Sequence, residues 1–270
     1  MFGTLKRRGS FWGRAVLVCG LVLATLTGAR HASRAPVELT IATYNIRHGR
    51  GMDNVVDLQR TAAALRTLNA DVIALQEVDR EVQRSGGVDE AASLGAQLGM
   101  THVFGAFMPY MGGEYGLAIL TRLPVRRTEI LRLPDGNEPR VALLAELELP
   151  NGARVLAVNV HFDWVENDSF RIRQVEALAA VLDTASLPII LLGDFNDVPA
   201  SRTMRRWAPR FATLEKPADD RFTFSSTKPE KEIDHILLAP RDGWEPISAR
   251  VVTDSLTSDH RALVGRVRLR

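Results

Sequence analysis

The chain alternates short, nearly unbroken apolar runs with stretches in which apolar residues recur at helical spacing. Residues 39–45, 71–77 and 188–192 are compact apolar segments of strand length and predict buried strands. Over residues 57–68, Leu58, Leu65 and Leu68 fall on one side of a helix. A second helix is expected over 88–98, ended by Gly99. Shorter strands follow over 101–107, 116–121, 125–131 and 140–149, and Pro150-Asn151-Gly152 reads as a hairpin turn into a strand over 154–162. Residues 168–182 predict a helix capped by Asp168 or Ser169, and short strands return from Phe222. A doubly wound sheet would alternate more strictly. The expected class is therefore α/β, with two packed mixed sheets flanked by helices. A faint internal echo runs through the pattern: strands ending at Asn45 and Glu77 lie 32 residues apart across a helix, and strands ending at His161 and Asp194 lie 33 apart across another.

Charge changes the picture at the N-terminus. Lys6, Arg7, Arg8 and Arg14 precede an apolar run over 15–29, and the first acidic residue is Glu38. Basic residues, an apolar run and then small residues predict a secretory signal peptide over 1–29. An uncleaved N-terminal anchor is the alternative, although the run is short of the ~20 residues that span a bilayer. A short linker over 30–36 and one domain over 37–270 would follow, placing the protein in an exported, periplasmic or secreted location, or anchored through 15–29. Loss of 1–29 removes four basic residues and no acidic ones, taking the formal charge from +2 to −2. Bulk charge therefore gives no support for a nucleic-acid binder. The single cysteine, Cys19, lies in the same run, which excludes a disulfide framework and a cysteine zinc site.

The candidate chemistry sits where apolar strands end. Glu77, His161 and Asp194 close such strands, Asn196 follows Asp194 by two residues, and Asp234 opens the segment 234–238. Carboxylates at buried strand mouths must be paired, hydrogen-bonded or metal-bound. If the mouths converge, Glu77, Asp194, Asp234 and Asp259 gather with His161 and His260, and such carboxylates repel one another unless a cation sits among them. An oxygen-rich set containing asparagine suits Mg²⁺ or Mn²⁺. No Gly-x-Ser-x-Gly elbow occurs, which discards a serine hydrolase of that type.

Five segments, Thr43-Tyr44-Asn45-Ile46-Arg47, Gln76-Glu77-Val78, Gly193-Asp194-Phe195-Asn196, Ile233-Asp234-His235-Ile236 and Ser258-Asp259-His260-Arg261, stand in the order found in the endonuclease/exonuclease/phosphatase superfamily. Residues 115–122 and 159–163 also resemble its segments, so the resemblance runs from about Leu39 to Leu269. It implies a four-layered α/β sandwich and Mg²⁺-dependent cleavage of phosphate esters. By motif position, Asn45 and Glu77 resemble the metal-binding pair, with Asp259 near the same ion. Asp194 resembles the residue that orients or deprotonates the attacking water, and Asn196 one that holds a phosphate oxygen or positions that water. His161 resembles the phosphate contact. His260 would stabilise phosphate charge or transfer a proton, oriented by Asp234. Either Asp194 or His260 could be the general base. Leu117 and Val160 depart from common family wording, which bears on pocket polarity alone.

Other residues carry two readings. Arg171 and Gln174, one helical turn apart, fit phosphate contact or a solvated helix face. Arg140 fits substrate contact or a charge at a strand edge. His48 and Trp164 fit a pocket rim or ordinary loops. Arg202, Arg205, Arg206 and Arg210 around Trp207 fit a grip on nucleic acid or lipid, or again a solvated face, while His235 reads as structural. The functional expectation is a monomeric phosphodiesterase without an obligate protein partner, using Mg²⁺ or Mn²⁺. Its phosphate-ester substrate would be nucleic acid, phospholipid or a small phosphodiester. An inactive binding module on the same fold would have lost Glu77, Asp194, Asn196 or His260, and all four are present.

Overall fold

The computed structural model describes residues 35–270; the signal or anchor segment read over 1–29 lies outside them. Twelve strands and four helices are described: β1 Val37–Asn45, α1 Leu58–Leu68, β2 Val72–Arg80, α2 Glu90–Leu98, β3 Thr101–Tyr110, β4 Gly113–Thr121, β5 Val125–Arg132, β6 Val141–Glu148, β7 Arg154–His161, α3 Ser169–Leu182, β8 Ile189–Asp194, α4 Arg202–Trp207, β9 Ala212–Thr213, β10 Asp234–Ala239, β11 Trp244–Val251 and β12 Leu263–Leu269.

Local chemistry sets the helix ends. The Asp57 carboxylate accepts the Arg60 N–H at the start of α1, which stops at left-handed Asn69. Asp89 caps α2 in the same way, and Gly99 ends it at φ +65°. The sequence reading leaves 108–115 outside any strand, because Pro109, Gly112 and Gly113 interrupt the pattern. In the structure β3 and β4 run through this gap as one hairpin. Met111 at φ +42° and Gly112 at φ +87° form its two-residue turn, the backbone that matches strand twist.

The strands make two six-stranded sheets, ordered β11-β12-β1-β2-β4-β3 and β5-β6-β7-β8-β10-β9. The two orders correspond position by position. Each has one parallel pair at its centre, β1–β2 or β7–β8, with antiparallel neighbours on both sides. A helix connects the strands of each parallel pair, α1 in one and α3 in the other. The echo in the sequence is this repeated strand–helix–strand unit.

Side chains alternate between faces along each strand. Ile41, Leu117, Leu143, Ile190, Leu192 and Ile236 fill the space between the sheets. Ala42, Ile73 and Leu75 pack outward against Leu65 and Leu94 of the first helix layer. Val158 and Leu191 pack outward against Val175, Leu178 and Trp207 of the second. The result is a helix–sheet–sheet–helix sandwich. A polar bridge crosses the inner layer. Gln76 Nε2 donates to Asn159 Oδ1 at 2.7 Å, and Asn159 Nδ2 donates to the carbonyls of Leu75 and Ala118 at 2.8 Å each. It ties β2 and β4 to β7 one step below the strand mouths.

Candidate active site

The carboxyl ends of both parallel pairs open into one cleft of about 790 Å³, lined among others by Glu77, Arg140, His161, Arg171, Asp194, Asn196, Asp259 and His260. Each polar group arrives by a specific backbone device. Glu77 sits where the β2–β4 register shifts between Gln76 and Val78, at φ +57°. That bulge turns a residue of a buried strand toward the cleft. Gly193 has φ +151°, and a Cβ there would lie 2.0 Å from the Val160 carbonyl oxygen. Only glycine permits β8 to press against β7 at this point and deliver Asp194. Asn196, at φ +51°, turns back so that its N–H donates to Asp194 Oδ1 at 2.9 Å and its Nδ2 to the Phe162 carbonyl at 3.0 Å.

Asp194 is the hub. Its Oδ2 accepts from Asn45 Nδ2 at 3.2 Å and lies 3.5 Å from His161 Nε2 and 3.6 Å from His260 Nε2. Asn45 Nδ2 also donates to Glu77 Oε1 at 3.0 Å. Behind His260, Nδ1 faces Asp234 Oδ2 at 2.9 Å. Thr223 places that aspartate, its hydroxyl accepting the Ile233 and Asp234 N–H groups. The Phe224 ring lies against the imidazole at 4.9 Å between centroids. Ser258 donates to the Asn45 carbonyl at 2.7 Å and so fixes the segment carrying Asp259 and His260 to the end of β1.

These contacts separate the proton affinities. Burial, reinforced by the Asp234 charge, pushes the Asp194 carboxyl up to about 7 against the opposing pull of His260. Burial alone would lower His260, but the Asp234 and Asp194 charges outweigh it and raise the imidazole to about 10. His161 goes the other way, held well below the usual histidine range by burial and by the charges of Arg140 and His260. The site thus pairs an imidazolium with a neutral imidazole across one carboxylate.

The donor chemistry divides into two groups. Glu77 and Asp259 offer carboxylate oxygens, and Arg47 Nε stands 3.7 Å from Asp259, beyond hydrogen-bond length. This pair fits a hard divalent cation. Asn45, read as a metal partner from the resemblance, instead turns its Nδ2 to Glu77 and Asp194 while its Oδ1 accepts the Arg47 N–H at 3.1 Å. Asp194, Asp234 and His260 also approach one another within 4.8 Å, all buried. Here, however, both His260 nitrogens face carboxylates, and a protonated ring has no lone pair to give a metal. The second group is suited to handling protons.

The structure gathers most of the residues expected from the sequence. Asn45 and Asp234 sit immediately behind the cleft wall through the bonds above. Arg140 enters it, 2% exposed, with Nη2 on Glu138 at 3.0 Å and with Nε and Nη1 lacking a hydrogen-bond partner among the described residues. Arg171 lines the cleft while donating to the carbonyls of Asp163 and Val165. His48 is different. The turn after β1 has positive φ at Arg47 and His48, and the imidazole is buried outside the residues that line the cleft. Burial and the Arg84 charge push it down to about 4. The basic run is also no phosphate grip: Arg202 pairs with Asp168, Arg206 with Glu176 and Asp183, and Trp207 is buried. Three contributors escape the sequence reading. Tyr115 lines the cleft facing the Glu77 charge, and Thr223 and Phe224 set Asp234 and His260. The Glu114-Tyr115-Gly116 step is a signal for Tyr115; nothing in the sequence distinguishes Thr223.

The chain is 24% identical over 250 residues to the uncharacterised protein YbhP of Escherichia coli K12, covering 85% of this chain and 96% of YbhP. An endonuclease/exonuclease/phosphatase from Beutenbergia cavernae superposes with a TM-score of 0.72 at 22% identity, over 86% of this chain and 72% of that one. D. rerio TDP2, complexed with a single-strand DNA product, superposes with a TM-score of 0.69 at 17% identity, over 85% of this chain and 98% of that one. Both share the fold described above. With its profile matched over residues 42–260, the chain belongs to the Endonuclease/Exonuclease/phosphatase family.

Proposed function

We propose that this protein is a divalent-metal-dependent phosphodiesterase. Its family acts on phosphate esters. The observation that carries the finer reading is the position of Asp194 Oδ2, shared among Asn45, His161 and His260 at the floor of the cleft that Glu77 and Asp259 also line. Water attacks phosphorus in line with the leaving oxygen, a new P–O bond forms, and the P–O bond to the leaving group breaks with its electron pair staying on the leaving oxygen, which takes a proton from solvent. Asp194 takes the proton from the water, and Asn196 and Asn45 hold that carboxylate in place. His260, kept protonated by Asp234, places an imidazolium Nε2–H against the charge that builds on the phosphate. His161, neutral, contributes a positioned ring nitrogen. A divalent cation held by Glu77 and Asp259, with Asn45 Nδ2 positioning Glu77, would supply Lewis-acid neutralisation of the phosphate oxygens. Export, as secreted or periplasmic protein, is supported by the basic and then apolar order of residues 6–29.

The test is hydrolysis of bis(p-nitrophenyl) phosphate by the purified full chain with Mg²⁺ or Mn²⁺. EDTA should abolish turnover, and Asp194→Ala should reduce it at least ~100-fold, the usual contribution of one positioned acid–base group. Undiminished turnover in Asp194→Ala rejects the mechanism. A panel of plasmid DNA, abasic duplex, RNA, sphingomyelin and inositol phosphates then sorts the substrate.

A further inference from the structure

Trp164 is the one exposed aromatic side chain among the described residues, at 57% exposure, and it lines the cleft beside Val165 and Val198. Its backbone is pinned on both sides. The Asp163 N–H donates to Gln174 Oε1 at 2.9 Å, and Arg171 Nη1 donates to the Asp163 carbonyl at 3.0 Å and the Val165 carbonyl at 2.6 Å. Asp163, fully buried, accepts the Val165 N–H at one oxygen and the Asn137 N–H at the other. Arg171 Nε also reaches Asp197 Oδ2 at 3.3 Å, next to Val198. The Arg171 and Gln174 pair is therefore a brace for the loop that presents Trp164. An indole carried on a braced backbone while left in water offers an open flat face to a flat partner. In the same cleft, Arg140 keeps two buried N–H groups unpartnered, which calls for an anion.

Building on the phosphodiesterase reading, we propose that Trp164 is a stacking platform for a nucleobase, so that the substrate is a nucleoside phosphodiester whose phosphate meets Arg140. A lipid fits less well. The apolar rim is one indole and two valines, a small surface for an acyl chain but the size of one base.

The experiment compares kcat/KM of the full chain with Mn²⁺ on the p-nitrophenyl ester of thymidine 5′-phosphate and on methyl p-nitrophenyl phosphate. Wild type should prefer the thymidine ester. Trp164→Ala should lower that preference by ~5- to 100-fold, the range of base–aromatic stacking, while Trp164→Phe keeps most of it. Arg171→Met should erode the preference as Trp164→Ala does. A preference unchanged in Trp164→Ala overturns the proposal. So does loss, in Trp164→Ala, of binding to phosphatidylglycerol vesicles with the thymidine preference intact. If wild type cleaves neither ester, the phosphodiesterase reading itself fails, and this inference with it.

Discussion

At the scale of single residues, the chemistry rests on groups whose proton affinity is set by neighbours brought from far along the chain. Asp234 and His260 are 26 residues apart, yet their 2.9 Å contact decides that the imidazole stays protonated. Replacing Asp234 with Asn keeps the shape and removes the charge. It should lower phosphodiester turnover by ~10- to 1,000-fold, with the fold intact by circular dichroism. A second buried carboxyl gives a pH-dependent stability. Burial, with the Asp79 charge beside it, pushes Glu90 up to about 8 from an ordinary value of 4.5. The folded state then binds the proton more tightly than the unfolded state does. Its contribution is complete below about 4.5 and is lost as pH rises through about 8. Glu90→Gln imitates the protonated form. By urea denaturation it should flatten the fall in stability between pH 5 and pH 8.5 and exceed wild type at the upper end by ~1–3 kcal/mol. Equal slopes in the two proteins would refute this assignment.

At the scale of elements, strand mouths were legible because a polar residue closing an apolar run stands out in one dimension. Asn45, Glu77, His161 and Asp194 all announce themselves in this way. What remained hidden was the backbone that aims them. The bulge at Glu77 is a conformation without a residue-type signature, the left-handed turn at Asn196 is one asparagine favours but does not demand, and the turn that buries His48 takes the loop reading rather than the rim. The β3–β4 hairpin was masked by glycine and proline in strands that still pair. Gly193 is the exception, a residue whose type betrays its geometry. Gly193→Ala should displace Asp194 as well as cost stability, lowering activity further than the loss of folded protein explains, as read by turnover normalised to thermal unfolding. The bridge between sheets offers a cleaner stability test. Asn159→Ala leaves Gln76 and two buried carbonyls with fewer partners and should destabilise the fold by ~2–3 kcal/mol in urea.

At the scale of the molecule, two copies of one sheet topology face each other, and the site lies at the carboxyl ends of their central parallel pairs. The copies contribute differently. The first sheet brings Glu77, and the segment before its β12 brings Asp259, the oxygens suited to a cation; Asn45 at the end of β1 joins Glu77 to Asp194 of the second sheet. The second brings His161, Asp194 and Asp234, the groups suited to phosphate and protons. His260, attached to the first sheet but held by Asp234 of the second, spans the seam. The duplication is barely visible in the sequence, because the copies share spacing and strand order while their polar residues have different tasks.

Under the proposed mechanism, this division of labour puts Glu77 at the centre of metal dependence and Asp194 outside it. The direct measurement is the Mn²⁺ titration of bis(p-nitrophenyl) phosphate hydrolysis, starting from EDTA-stripped full chain, for wild type and Glu77→Gln. No turnover is expected before metal is added, and Glu77→Gln should need at least a ~10-fold higher Mn²⁺ concentration for half-activation. Turnover by the stripped wild-type protein, or superimposable titrations for the two proteins, would contradict the proposed mechanism.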